Sequence, residues 1–215
     1  GTLSEPTLAE MTAGSNTTLT DHGIPADVDW TGGTVWFAGG AAWIGQDSTI
    51  TGFNPGTGVL SFTSARASNS NYDARIGNSY YLSGVKGALD AGREWWYDSS
   101  AQQLVLQPPS GSAVGSLQVE AKKRLFGFDI SGKAYIHIEG IELFAASVKT
   151  SDATQHVRID GMKASYVSHN SRNPQSNPNE DNNGITLRGE ANEIVNSELA
   201  YSSGSLPNVK GKKHR

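Results

Sequence analysis

Three stretches of this chain can be laid on one another. The first is Tyr135-Ile136-His137-Ile138-Glu139-Gly140-Ile141-Glu142-Leu143, and the second is His156-Val157-Arg158-Ile159-Asp160-Gly161-Met162-Lys163-Ala164. The third is Asn192-Glu193-Ile194-Val195-Asn196-Ser197-Glu198-Leu199. Ile138 to Ile159 is 21 residues, and Ile159 to Ile194 is 35, the longer interval holding a polar insertion. A shorter apolar stretch recurs ahead of each segment: Phe128-Asp129-Ile130, Ser147-Val148-Lys149 and Ile185-Thr186-Leu187. Self-similarity at a fixed period of about 20 residues is the mark of a solenoid. Apolar and polar residues alternate within each repeat, which specifies strand rather than helix.

A repeat of this length with short strands and no helical period reads as one coil of a parallel β-helix. Each coil buries a few aliphatics and stacks on its neighbour, so none is stable alone. The leucine-rich-repeat pattern is missing. The expected fold class is therefore all-β: a right-handed parallel β-helix with an N-terminal β-hairpin-rich module.

The chain divides on this reading into residues 1–29, 30–120 and 121–215. Within 1–29, residues 3–11 read as a short helical turn and 17–20 as a strand. Over 30–120, pairs of apolar runs flank turn signals. Thr34-Val35-Trp36-Phe37 and Ala42-Trp43-Ile44 flank Gly39-Gly40. Residues 49–53 and 59–62 flank Asn54-Pro55-Gly56-Thr57-Gly58, and 94–97 and 103–106 flank 98–101. Residues 65–78 read as a polar loop. A hairpin module of this kind would cap the open end of the coils.

Composition removes several function classes. The chain has 215 residues, a net charge of −4 and no cysteine. A modest negative charge leaves no nucleic-acid footprint. Zero Cys removes disulfides, thiol catalysis and Cys-ligated zinc. No run approaches the length of a membrane span.

Certain runs resemble a known family. Glu94-Trp95-Trp96-Tyr97-Asp98 leading to Leu104-Val105-Leu106-Gln107-Pro108-Pro109 is similar to a segment of bacterial right-handed parallel β-helix proteins, the pectate-lyase-like superfamily of polysaccharide lyases and glycoside hydrolases. So are residues 128–140, and so is Asn183-Gly184-Ile185-Thr186-Leu187-Arg188-Gly189 leading to Ile194-Val195-Asn196-Ser197. The resemblance spans about residues 30–203 and carries no catalytic motif residue by residue. It implies a secreted or cell-surface bacterial protein acting on polysaccharide. The alternative is a non-catalytic carbohydrate-binding or tail-spike-like solenoid. Only three coils are recognisable, and residues 211–215 read as the approach to a further strand. The expectation is thus the N-terminal part of a longer β-helix, partnered by its C-terminal part and inactive alone.

With the isoleucines inward, three outward rows follow across strands about 4.8 Å apart. They are His137/Arg158/Glu193, Glu139/Asp160/Val195 and Glu142/Lys163/Glu198. The third row reads as a surface ion-pair ladder. In the second, Glu139 beside Asp160 is a like-charge contact, tolerated when protonated or bridged by a cation. Paired carboxylates serve glycoside hydrolysis, which makes Glu139 and Asp160 the candidate catalytic pair. They also suit Ca²⁺, which lyases of the resembled superfamily use. Candidate substrate-binding residues are Arg158 and, in the polar insertion 168–183, His169, Asn170, Arg172 and Asp181, whose amides and charges can bond sugar hydroxyls or acidic sugars. Trp36, Trp43, Trp95, Trp96 and Tyr97 offer a sugar-stacking platform, of which hairpin alternation leaves one or two members exposed.

Overall fold

A computed structural model describes residues 8–42, 45–63, 69–168, 184–202 and 206–215. The fold is all-β, its helical content limited to short 3-10 turns such as Ser70–Tyr72 and Lys86–Ala88. No described helix is long and apolar enough to cross a membrane. The chain forms two compact units, Gly1–Val119 and Glu120–Arg215.

The first unit is built on an antiparallel seven-stranded sheet. Its strands are β1 (Ala9–Glu10), β2 (Ala13–Gly14), β3 (Thr18–Thr20), β4 (Thr34–Ala38), β5 (Gly45–Asn54), β6 (Val59–Phe62) and β7 (Ser79–Ser83). Their order across the sheet is β1-β7-β4-β5-β6-β3-β2. Alternation selects the buried face: Val35 and Phe37 of β4, Ile50 of β5, and Leu60 and Phe62 of β6 join Met11, Leu19, Trp30 and Tyr80 in one core. The β5–β6 turn follows from its residues, because the Asn54 side-chain oxygen accepts from the N–H groups of Gly56 (3.0 Å) and Thr57 (3.3 Å). A separate hairpin joins β8 (Glu94–Asp98) to β9 (Gln103–Gln107), with Trp95 opposite Leu106 and Tyr97 opposite Leu104.

Several local expectations are corrected here. Ala9–Glu10 is a strand paired to β7, not part of a helical turn. Strands β1 to β3 join the same sheet as β4 to β7, so residues 8–29 are not set apart from the hairpin module. β4 pairs with a strand that begins at Gly45, and Ala42 lies in the connecting loop; Trp43 and Ile44 fall outside the described residues. Gly39 and Gly40 lie in a turn of the β4–β5 connection, closed by the Ala42 N–H donating to the Gly39 carbonyl at 3.0 Å. They allow a close approach, since a Cβ there would meet the carbonyl oxygens of Tyr72 at 2.2 Å and Asn71 at 1.8 Å. β7 is a strand that the alternation at Ser79-Tyr80-Tyr81-Leu82-Ser83 contains and the turn-based reading passes over.

Among the described residues, parallel pairing is confined to the second unit. β11 (His137–Glu139), β14 (Arg158–Asp160) and β17 (Glu193–Val195) form one parallel sheet, with Ile138, Ile159 and Ile194 in register. β12 (Glu142–Phe144), β15 (Lys163–Ser165) and β18 (Glu198–Ala200) form another, with Leu143, Ala164 and Leu199 in register. β10 (Phe126–Asp129) pairs with β13 (Ser147–Lys149), and β16 (Thr186–Leu187) with β19 (Asn208–Val209). Hydroxyls join β13 to the β16 segment: Ser147 donates to the Gly184 carbonyl at 2.9 Å and Thr150 to that of Thr186. The aligned segments thus pair in the register their sequences imply. Residue 134 bridges to 155, 155 to 190 and 190 to 212, which lays residues 212–215 beside 190–193.

Left-handed corners separate the strands at the same spacing as the isoleucines. Gly140, Gly161 and Asn196 have φ of 64°, 63° and 51°, and Ala145, Tyr166 and Tyr201 have φ of 54°, 54° and 55°. Glycine and asparagine visit this region readily, whereas alanine and tyrosine do so at a cost that repeated strand pairing must offset. Inside, Ile130, Ile138, Val148, Val157, Ile159, Met162, Ile185 and Leu187 form one core, with Ile194 and Leu199 half-buried against it.

Candidate functional site

The outer faces of the two three-stranded parallel sheets carry most of the candidate residues. On the first, Glu139 and Asp160 lie in register on adjacent strands. Asp160 is not an open carboxylate. Arg158, two residues along the same strand and so on the same face, donates from Nη2 at 2.7 Å and Nε at 3.1 Å to Asp160 Oδ2. Asn196, at the corner of the next repeat, donates to Oδ1 at 2.9 Å. The Asn196 amide and then the Arg158 guanidinium hold the Asp160 carboxyl below the usual carboxylate range. Arg158 also grips Glu193 across the rung, and the two carboxylates keep its guanidinium firmly protonated. Glu139 is exposed and has no hydrogen-bond or ion-pair partner among the described residues.

This arrangement changes what the row can do. Arg158 offsets the charge of Asp160 from its own strand and reaches Glu193, while no bond or ion pair joins it to Glu139 among the described residues. Among the described residues no group of three or more His, Asp or Glu side chains is placed to hold a metal ion. Arg158, expected to bind substrate, has its fork taken by two carboxylates. His169, Asn170, Arg172 and Asp181 lie outside the described residues.

The second sheet offers a concave surface. Its outward positions form two columns: Glu142, Lys163 and Glu198, then Phe144, Ser165 and Ala200. The columns differ in size along the stack. Phe144 is large, while Ser165 and Ala200 are small and leave a depression. The result is a groove of about 350 Å³, floored by Ser165 and Ala200 and bounded by Phe144, Tyr201 and the charged column. Glu142, Lys163 and Glu198 are in register, yet no ion pair joins them among the described residues, so the expected ion-pair ladder does not form. Their charged groups are exposed along the groove and open to a ligand.

An aromatic column runs beside it. Tyr166 stacks on Tyr201 with centroids 4.9 Å apart and planes at 20°, and Phe144 meets Tyr166 edge-on at 5.4 Å. These aromatics were not among the sequence candidates. The signal that reveals them is the repeat itself, extended one corner further: Ala145, Tyr166 and Tyr201 keep the spacing of the isoleucine anchors.

The expected tryptophan platform is partly consumed by packing. Trp36 stacks on Tyr81 at 5.3 Å, and the Trp96 indole N–H donates to the Gly84 carbonyl at 3.1 Å. Trp43 lies outside the described residues. Trp95 and Tyr97, on the opposite face of β8 from Trp96, remain 65% and 50% exposed.

No protein-family model, no curated protein and no solved structure matches this chain.

Proposed function

We propose that the second unit is a segment of right-handed parallel β-helix whose outer face binds polysaccharide, in a protein that works outside the cell. Registered parallel ladders and left-handed corners recurring at the repeat spacing support the fold reading. One observation carries the functional reading: the groove over β12, β15 and β18. It sets a small-residue floor between an aromatic wall and a column of charged side chains with no ion pairs among the described residues. Sugars have apolar C–H faces and a rim of hydroxyls. Aromatic rings serve the first, and charge-assisted hydrogen bonds to Glu142, Lys163 and Glu198 serve the second. Calorimetric titration with neutral and acidic oligosaccharides tests this. Tyr201→Ala and Lys163→Ala should each weaken binding about tenfold, the factor for a loss of 1.4 kcal/mol. Unchanged affinity in both variants would move the site elsewhere, and no binding of any glycan would end the reading.

A second reading, glycoside hydrolysis, draws on the unequal surroundings of Glu139 and Asp160. Asp160 is held ionised, and Glu139 on the adjacent strand has no partner among the described residues. A hydrolase works with two carboxylates flanking the scissile bond, and these two lie in register on adjacent strands. Release of reducing ends by the parent protein and its loss in Glu139→Gln would support this; absence of release across neutral and acidic glycans would remove it.

A further inference from the structure

The first unit holds a cleft that the glycan groove does not use. It has a volume of about 510 Å³, within the range of small-ligand sites, and is lined by Leu82, Val85, Leu89, Arg93, Trp95 and Tyr97 among others. Leu82 and Val85 also pack against the core of the seven-stranded sheet, so this wall is anchored. The Trp96 indole N–H bonded to the Gly84 carbonyl ties the β8–β9 hairpin to the segment after β7, fixing the other wall.

Trp95 and Tyr97 point to the same side of β8, two residues and so about 7 Å apart. Neither stacks on another ring among the described residues. A pair of open aromatic faces at this spacing suits successive rings of a sugar chain.

The charge at the mouth is asymmetric. The Glu94 carboxylate is engaged, accepting from the backbone N–H groups of Asp90 at 2.8 Å and Ala91 at 3.0 Å. The Arg93 guanidinium is exposed and has no side-chain partner among the described residues. Its backbone is held in place, with φ at 75° and its N–H donating to the Gln107 carbonyl at 2.8 Å. Beside the backbone-bound Glu94 carboxylate, the cleft therefore presents one guanidinium without a side-chain partner among the described residues, next to two open rings. A guanidinium fork binds a planar or tetrahedral oxyanion through paired hydrogen bonds.

We infer that this cleft binds a sugar chain carrying an anionic group, with Trp95 and Tyr97 under the rings and Arg93 on the carboxylate or sulfate. The site is independent of the groove on the second unit, whose residues it does not share. The test uses the whole 215-residue chain and three trisaccharides: one neutral, one carrying a carboxylate on each ring, one sulfated. Binding is read by tryptophan fluorescence and calorimetry. Either anionic sugar should bind at least about tenfold more tightly than the neutral one, the factor that one charge-assisted contact supplies. Arg93→Gln should reduce it to the neutral level, and Trp95→Ala should abolish binding of all three to this site. Both side chains are exposed, so the unfolding midpoint of each variant should match the parent. Tyr201→Ala, in the other unit, should leave this binding unchanged. Equal binding of neutral and anionic sugars overturns the role of Arg93. Binding unaffected by Trp95→Ala, or no binding of any of the three, overturns the site.

Discussion

Arg158 and Asp160 sit two residues apart on one strand and are joined by two hydrogen bonds, at 2.7 and 3.1 Å, to the same carboxylate oxygen. The pair offsets part of the negative charge that Asp160 would otherwise present to Glu139. It also ties repeats together, because Arg158 reaches Glu193 and Asn196 reaches Asp160 from the following rung.

The depressed pKa of Asp160 has a signed consequence for stability. A carboxyl that loses its proton more readily when folded adds stability that is fully present above the unfolded value, near about 3.9, and is lost as the pH falls through the lower folded value. Asp160→Asn should therefore melt below the parent at neutral pH, and the gap should close in strong acid. Melting midpoints for both proteins across the acid range are the measurement. A gap that stays constant to the lowest pH would show that the charge of Asp160 contributes nothing.

The isoleucine column gives a graded expectation. Ile159 is fully buried between Ile138 and Ile194, while Ile194 is only half-buried. Ile159→Ala should cost about 2–5 kcal/mol, as for a core truncation that leaves a cavity. Ile194→Ala should cost less. Urea unfolding followed by a probe in the second unit would decide it, and an equal or reversed order would mean that the inward register is not what holds the rungs.

Much of the second unit was legible because its physics is one-dimensional. Period-two alternation and a repeated isoleucine place His137 beside Arg158, and Arg158 beside Glu193, without reference to any other part of the chain. What alternation cannot rank is competition between neighbours on one face. Asp160 could pair across the rung or along its strand, and a long guanidinium two residues away wins over a second carboxylate. The first unit was harder. Its sheet order brings β1 at residue 9 beside β7 at residue 80, and such pairings leave no local trace. The Gly39-Gly40 signal was genuine: both lie in the β4–β5 connection, where the Ala42 N–H bonds the Gly39 carbonyl, and they also allow close packing against residues 71 and 72.

Asn192 is a buried polar residue in a place where Val157 stands one repeat earlier. Its side-chain oxygen accepts from the Val157 N–H at 2.8 Å, and its amide donates to the carbonyls of Arg188 at 2.6 Å and Thr154 at 3.1 Å. Asn192→Ala removes the bonds to the Val157 N–H and the Arg188 carbonyl, at about 1–3 kcal/mol for each left unsatisfied, while the Thr154 carbonyl keeps its bond from the Glu190 N–H. The loss should exceed that of Ile194→Ala in the same urea experiment. Asn192→Asp retains the acceptor but not the donors and should fall between the parent and Asn192→Ala. An Asn192→Ala protein as stable as the parent would show that water replaces the amide.

Two glycines separate conformational strain from crowding. Gly140 has φ of 64°, and a Cβ added there would find nothing within 4 Å. Gly140→Ala should cost only the left-handed penalty, about 1–2 kcal/mol. Gly189 has φ of 89°, and a Cβ there would lie 1.9 Å from the Thr154 carbonyl oxygen. That carbonyl also accepts from Glu190 and Asn192, and the buried Thr154 hydroxyl bonds Ile130, Gly132 and Ser151. Gly189→Ala must displace the whole turn, so its cost should clearly exceed that of Gly140→Ala. Asparagine already occupies the equivalent corner at 196, so Gly161→Asn should be nearly neutral, whereas a β-branched residue there should not be. Comparative urea midpoints test the set. If Gly140→Ala and Gly189→Ala lost the same stability, crowding against Thr154 would play no part, and backbone conformation alone would explain both glycines.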